Sequence, residues 1–149
     1  EYVVEKKDVK KMVCSNDSLE KITYLDSDYK LCVENLYNKY KENHEAISPL
    51  TATVEEFSKD LPKEVLIQKD KGKLNHFAFI EENEIAYIGS FNNSQMEEFL
   101  FLVIETLFKT YDTIEFEVDH NDKEMNLLKD CFYPQKCISY DTFIKSYKK

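Results

Sequence analysis

Residues 96–111 are apolar around most of a helical circumference, and this run constrains the fold more than any other part of the chain. At 3.6 residues per turn, Glu98, Glu105 and Lys109 define its single narrow polar stripe. A helix of this kind cannot rest on a surface by one face, so it has to be enclosed. Lipid does not enclose it. The longest unbroken apolar run is six residues, at 99–104, far short of the ~18–20 of a membrane span. The spacing therefore predicts a buried helix packed against a sheet.

The sheet is legible immediately upstream. A strand at 65–69 runs into a turn at Asp70-Lys71-Gly72, where glycine supplies the positive φ that tight turns require. A second strand follows at 74–81, then a turn at Glu82-Asn83 and a third strand at 84–91. Strict alternation would place Ile85, Tyr87 and Gly89 on one face of the third strand, and Ala86, Ile88 and Ser90 on the other. Asn92-Asn93-Ser94 breaks the pattern and caps the apolar helix. Residues 113–119 then read as a strand, 123–131 as a short helix and 138–144 as a last strand.

Before the meander, 21–25 reads as a short strand, and Asp26-Ser27-Asp28 caps a helix running to about 43, with Leu31, Leu36 and Tyr40 near one face. Thr53-Val54-Glu55-Glu56 is a capping box for a short helix that ends before Pro62. Residues 1–19 are an edge strand or a loose N-terminal arm. The predicted fold class is α/β, in the α+β sense of a mixed sheet: a three-strand antiparallel meander followed by helix, strand, helix, strand. All 149 residues are assigned to one domain, a size that can bury a core unaided. The chain begins without Met, as expected of one trimmed or cut from a longer protein.

Composition narrows the partners. A net charge of −9 argues against nucleic acid, whose backbone needs clustered cations. It favours cationic partners such as amines, or simply maintains solubility. All twenty basic residues are Lys, so no guanidinium fork is available for phosphate or carboxylate. Cys14, Cys32, Cys131 and Cys137 form no C-x-x-C, and no two His stand at metal-ligand spacing, so no metal is expected. The cysteines are read as reduced thiols of a cytoplasmic protein, with no membrane attachment.

From about residue 65 to residue 132 the chain resembles the core of the GNAT acetyltransferases. The residues carrying the resemblance are Lys73-Leu74-Asn75-His76-Phe77-Ala78-Phe79-Ile80 and Phe116-Glu117-Val118-Asp119-His120-Asn121, with Leu127, Leu128 and Phe132 after them. The resemblance implies a GNAT-like fold and an acyl-CoA-dependent N-acetyltransferase acting on a primary amine, with acetyl-CoA lying between the strands at 84–90 and 113–119. It assigns cofactor contacts to Ser90, Asn93, Ser94, Gln95 and Asn121. The expected acceptor is a cationic small-molecule or peptidyl amine, and a homodimer is compatible with the reading. The alternative is a catalytically inactive GNAT-fold binding or regulatory domain of a longer protein.

Two departures favour that alternative. The family's cofactor loop reads Q/R-x-x-G-x-G/A, because small residues let backbone amides close on a diphosphate. Here Gln95-Met96-Glu97-Glu98-Phe99-Leu100 sets Glu98 and Leu100 in the small-residue positions. A helix terminus attracts an anion by ~0.3–1 kcal/mol. One carboxylate ~4 Å from a phosphate repels it by as much as ~4 kcal/mol at an effective dielectric of 20. Repulsion wins unless the acids turn outward. Second, the family's catalytic helix Tyr falls on Leu128, leaving Tyr133 as the nearest proton donor.

An amine must lose a proton before it attacks a thioester, so the reaction wants a base titrating near neutrality. Alternation along 113–119 puts Glu115, Glu117 and Asp119 on one strand face, where mutual repulsion would raise a carboxylate pKa. Glu117 is the first candidate base and His120 the second. The structural alternative is an exposed sheet face. His76 is read as a hydrogen-bonded strand residue, His44 as solvated and Ser94 as an N-cap.

Overall fold

The computed structural model describes residues 2–10, 19–44, 54–92, 96–119 and 121–133. Its elements are β1 (Tyr2–Glu5), a 3-10 turn (Lys6–Asp8), β2 (Glu20–Thr23), α1 (Ser27–His44), α2 (Val54–Lys59), β3 (Glu64–Asp70), β4 (Lys73–Glu81), β5 (Glu84–Ser90), α3 (Met96–Phe108), β6 (Thr113–Phe116) and α4 (Lys123–Lys129). Six strands make one mixed sheet in the order β1-β6-β5-β4-β3-β2. Every pairing is antiparallel except β5 with β6. The N-terminal residues thus supply an edge strand, β1, beside β6. The expected strand at 138–144 lies outside the described residues.

Local chemistry explains the joints. Lys71 and Gly72 take φ of 55° and 81° in the β3–β4 turn, and Glu82 takes 54° in the β4–β5 turn. The Asp26 carboxylate accepts the Asp28 N–H at 2.8 Å and opens α1. The capping box proposed for α2 begins at Thr53, outside the described residues.

Helices cover both faces, giving three layers. On one side, α3 and α4 pack on Leu66, Ala78, Ile80, Ile85, Ile88, Ile114 and Phe116. On the other, Tyr29, Cys32, Val33 and Leu36 of α1 pack on Ile22, Val65, Ile67, Phe77 and Phe79. α3 is buried as its sequence demands: Met96, Phe99 through Ile104 and Leu107 are all withdrawn from solvent.

Three expectations are corrected. Leu31 is 47% exposed, because the face of α1 that meets the sheet is the Tyr29-Cys32-Val33-Leu36 row. The alternation along β5 is interrupted by a bulge: Phe79 pairs with Tyr87, but its neighbour Ile80 pairs with Ile85, leaving Ala86 over. Ile85 is thereby turned onto the α3 side with Ile88, while Tyr87 stays on the α1 side. Finally, the strand read at 113–119 ends at Phe116. Asp119 accepts the Asn121 N–H on its side chain at 3.0 Å and the Asp122 N–H on its carbonyl at 2.8 Å, which diverts the backbone into α4.

Candidate functional site

β5 and β6 run parallel but pair only at Glu84 with Glu115 and Ile85 with Phe116. Beyond these two pairs the bulge at Ala86 bends β5 and the turn at Asp119 draws the other chain away. The gap opens into a cleft of about 490 Å³ lined by Tyr40, Glu84, Ile85, Ala86, Tyr87, Glu117, Val118, Asp119, Asp122 and Met125. It contains four carboxylates, two phenol rings and, among the described residues, no cationic lining side chain.

Behind this lining lies an ammonium. Lys39 of α1 donates to Asp122 Oδ1 at 3.0 Å and to the Ile88 carbonyl at 3.3 Å. Its Nζ also stands 2.7 Å from Glu124 Oε1, as an ion-pair contact lying off the hydrogen-bond direction. The same Nζ is 6.0 Å from the centre of the Tyr40 ring. Asp122 is buried and also caps α4, accepting the Met125 N–H at 3.2 Å. One turn earlier on α1, Asn35 donates to the Ser90 carbonyl at 3.1 Å.

Tyr40 and Tyr87 meet edge to face at 5.8 Å. Burial, then the Asp122 carboxylate, pushes the Tyr40 hydroxyl well above its ordinary range. Burial also raises Tyr87, with Asp60 and Glu84 adding to the effect. Both phenols are therefore neutral near pH 7 and serve as donors or ring faces, not as bases.

The residues singled out from sequence divide between this cleft and elsewhere. Glu117 stands exposed on the cleft lining with Asp119. Glu115 lies by the β4–β5 turn, where Asn83 Nδ2 approaches its carboxylate at 3.5 Å, and of the three acids only Glu117 and Asp119 line the cleft. Asn121 is exposed at the head of α4. Tyr133 is 55% exposed and does not line the cleft; its N–H is tied to the Asp8 carbonyl at 2.8 Å. Ser90 sits at the far end of β5, 2.9 Å from Nδ1 of the fully buried His76, whose ring lies against Phe99. Asn93, Ser94, Gln95 and His120 lie outside the described residues.

Sequence reasoning missed Asn35, Lys39, Tyr40, Tyr87, Asp122 and Glu124 as site residues. Asp122 alone left a readable signal, an acid just before a helix, and that signal reports a cap rather than a site. Among the described residues, no group of His, Cys, Asp or Glu is arranged to hold a metal ion, and no helix is long and apolar enough to cross a membrane.

The arrangement suits a cation better than an extended anionic carrier. Ile88 and Ser90, whose carbonyls face the gap, are already hydrogen-bonded by α1, and Glu97 and Glu98 stand exposed in the first turn of α3. The Ile88 and Ser90 carbonyls are thus already engaged, and Asn93, Ser94 and Gln95, expected to hold the cofactor, lie outside the described residues. No protein-family model, no curated protein and no solved structure matches the chain.

Proposed function

We propose that this is a binding domain of GNAT-like architecture whose β5–β6 cleft receives the ammonium end of a small-molecule or peptidyl amine. One observation carries the reading: directly behind the cleft lining, against its Asp122 and Tyr40, the fold already holds an ammonium, that of Lys39, with two carboxylates, a carbonyl and a ring face. Glu117 and Asp119 extend the same chemistry toward solvent. Tyr87 and Val118, both partly exposed, offer apolar surface for an alkyl stem.

Titration with butylammonium and with a short lysine-containing peptide, followed by amide NMR, tests this. Shifts should centre on Tyr87, Glu117 and Val118, weaken with added salt and disappear in Glu117→Gln/Asp119→Asn. Absence of any shift at millimolar ligand would refute the reading.

A second reading, N-acetyl transfer from acetyl-CoA, is favoured by the splayed parallel pair with Glu117 at its opening. It requires Glu117→Gln to cut acetyl transfer by about 10² to 10⁴, the usual worth of a positioned base. A parent with no transfer to any amine leaves the binding domain standing alone.

A further inference from the structure

The edge of β5 that β6 leaves unpaired has its own occupant. Phe91 donates its N–H to Asn75 of β4 at 2.8 Å, so the backbone of 89 and 91 faces β4 and that of Ile88 and Ser90 faces the gap. A parallel strand or an extended ligand lying along β5 would bond at these two residues. Their carbonyls are instead taken by Lys39 Nζ at 3.3 Å and Asn35 Nδ2 at 3.1 Å. The spacing explains how one helix serves both. Side chains four apart on a helix are ~6 Å apart along its axis, and alternate residues of a strand are ~6.6–6.8 Å apart. Asn35 meets Ser90 and Lys39 meets Ile88, so α1 runs opposite to β5 with its side-chain donors in register with the carbonyls.

We propose that Asn35 and Lys39 are an intramolecular cap standing in for an extended amide-bearing ligand on the β5 edge. The gap between β5 and β6 is closed to such a ligand in this chain. The cap is held from behind, because Asp122 and Glu124 fix the Lys39 ammonium at 3.0 and 2.7 Å, where a freely rotating lysine would swing away. This places a specific obstacle where the resemblance would lay acetyl-CoA. It draws on the same Lys39 cluster as the amine reading, but concerns the β5 edge, whereas the amine reading places its ligand at the Glu117 and Asp119 lining nearer solvent.

Coenzyme A, whose pantetheine arm carries two secondary amides, is the probe, and the amide signals of Ile88 and Ser90 are the readout. The wild-type chain should show no change at these signals. Asn35→Ala/Lys39→Met/Asp122→Asn removes both caps and one compensating acid, leaving the local charge unchanged. It should bind coenzyme A at least ~10-fold more tightly, with Ile88 and Ser90 shifting. Asn35→Ala alone, which leaves the ion pairs intact, should show a partial gain at Ser90 and decides the matter if the triple variant does not fold. Wild-type binding that shifts Ile88 and Ser90, or a folded variant no better than wild type, overturns the cap. Butylammonium titration of the same samples separates failure of the cap from failure of the amine reading.

Discussion

Lys39 on α1 and Asp122 at the head of α4 stand 83 positions apart in sequence and meet at 3.0 Å. Their side chains are 19% and 10% exposed, so water screens the pair only weakly. Breaking a buried pair costs about 3–5 kcal/mol, because the abandoned charge stays buried. Residual exposure lowers that figure here. Lys39→Met should cost roughly 2–4 kcal/mol in urea unfolding, or ~2–4 °C in Tm for each kcal/mol. Adding Asp122→Asn should recover part of the loss, since Asn still caps α4 while removing an unpaired charge. A double variant less stable than Lys39→Met would contradict this.

Gly89 has a different constraint. A Cβ placed there would lie 2.1 Å from Cζ of Phe77, a fully buried ring. Gly89→Ala should destabilise by about 1–3 kcal/mol through overpacking. Phe77→Leu should relieve part of that cost, giving a favourable coupling energy in a double-mutant cycle. Strict additivity would mean that the contact is not the cause.

Val103, at the centre of α3, is fully buried in the core formed with β4, β5 and β6. Val103→Ala should cost on the order of 1–3 kcal/mol from lost burial and a small cavity. A loss below ~0.5 kcal/mol would mean that α3 is not enclosed.

Alkali should begin to destabilise the protein through two thiols, before the buried phenols of Tyr40 and Tyr87 add to the loss. Burial, aided by Asp28 and Asp26, pushes Cys32 from 9.0 up to about 12. Burial, aided by Glu97 and Asp130, does the same for Cys131. Both shifts favour the protonated folded form, so stability is level below pH 9 and falls as the unfolded chain ionises first. The slope reaches ~1.4 kcal/mol per pH unit for each thiol between pH 9 and about 12. Denaturant titrations across that window should show the decline, and Cys32→Ala/Cys131→Ala should flatten it up to ~pH 10, where unfolded tyrosines begin to ionise. An unchanged slope in the variant would exclude the thiols.

By itself the sequence determined the elements that depend on local periodicity and turn chemistry. The apolar circumference of 96–111 dictated an enclosed α3, and Asp70-Lys71-Gly72 and Glu82-Asn83 dictated a meander of β3, β4 and β5. Tertiary structure decided what local pattern cannot encode. The bulge that turns Ile85 onto the face of Ile88 leaves no mark in composition, because an extra residue changes pairing rather than sequence period. The end of β6 was hidden because 117–119 keep a strand-like alternation while Asp119 supplies the competing turn. The candidate site was the least legible part. Glu117 could be picked from a row of acids, but Lys39 is one of twenty lysines with nothing local to set it apart. Its role follows from packing α1 against β5, which brings an ammonium, an amide and two carboxylates to one strand edge. Charge pairing between distant segments depends on distance in space, and only the folded chain fixes that distance.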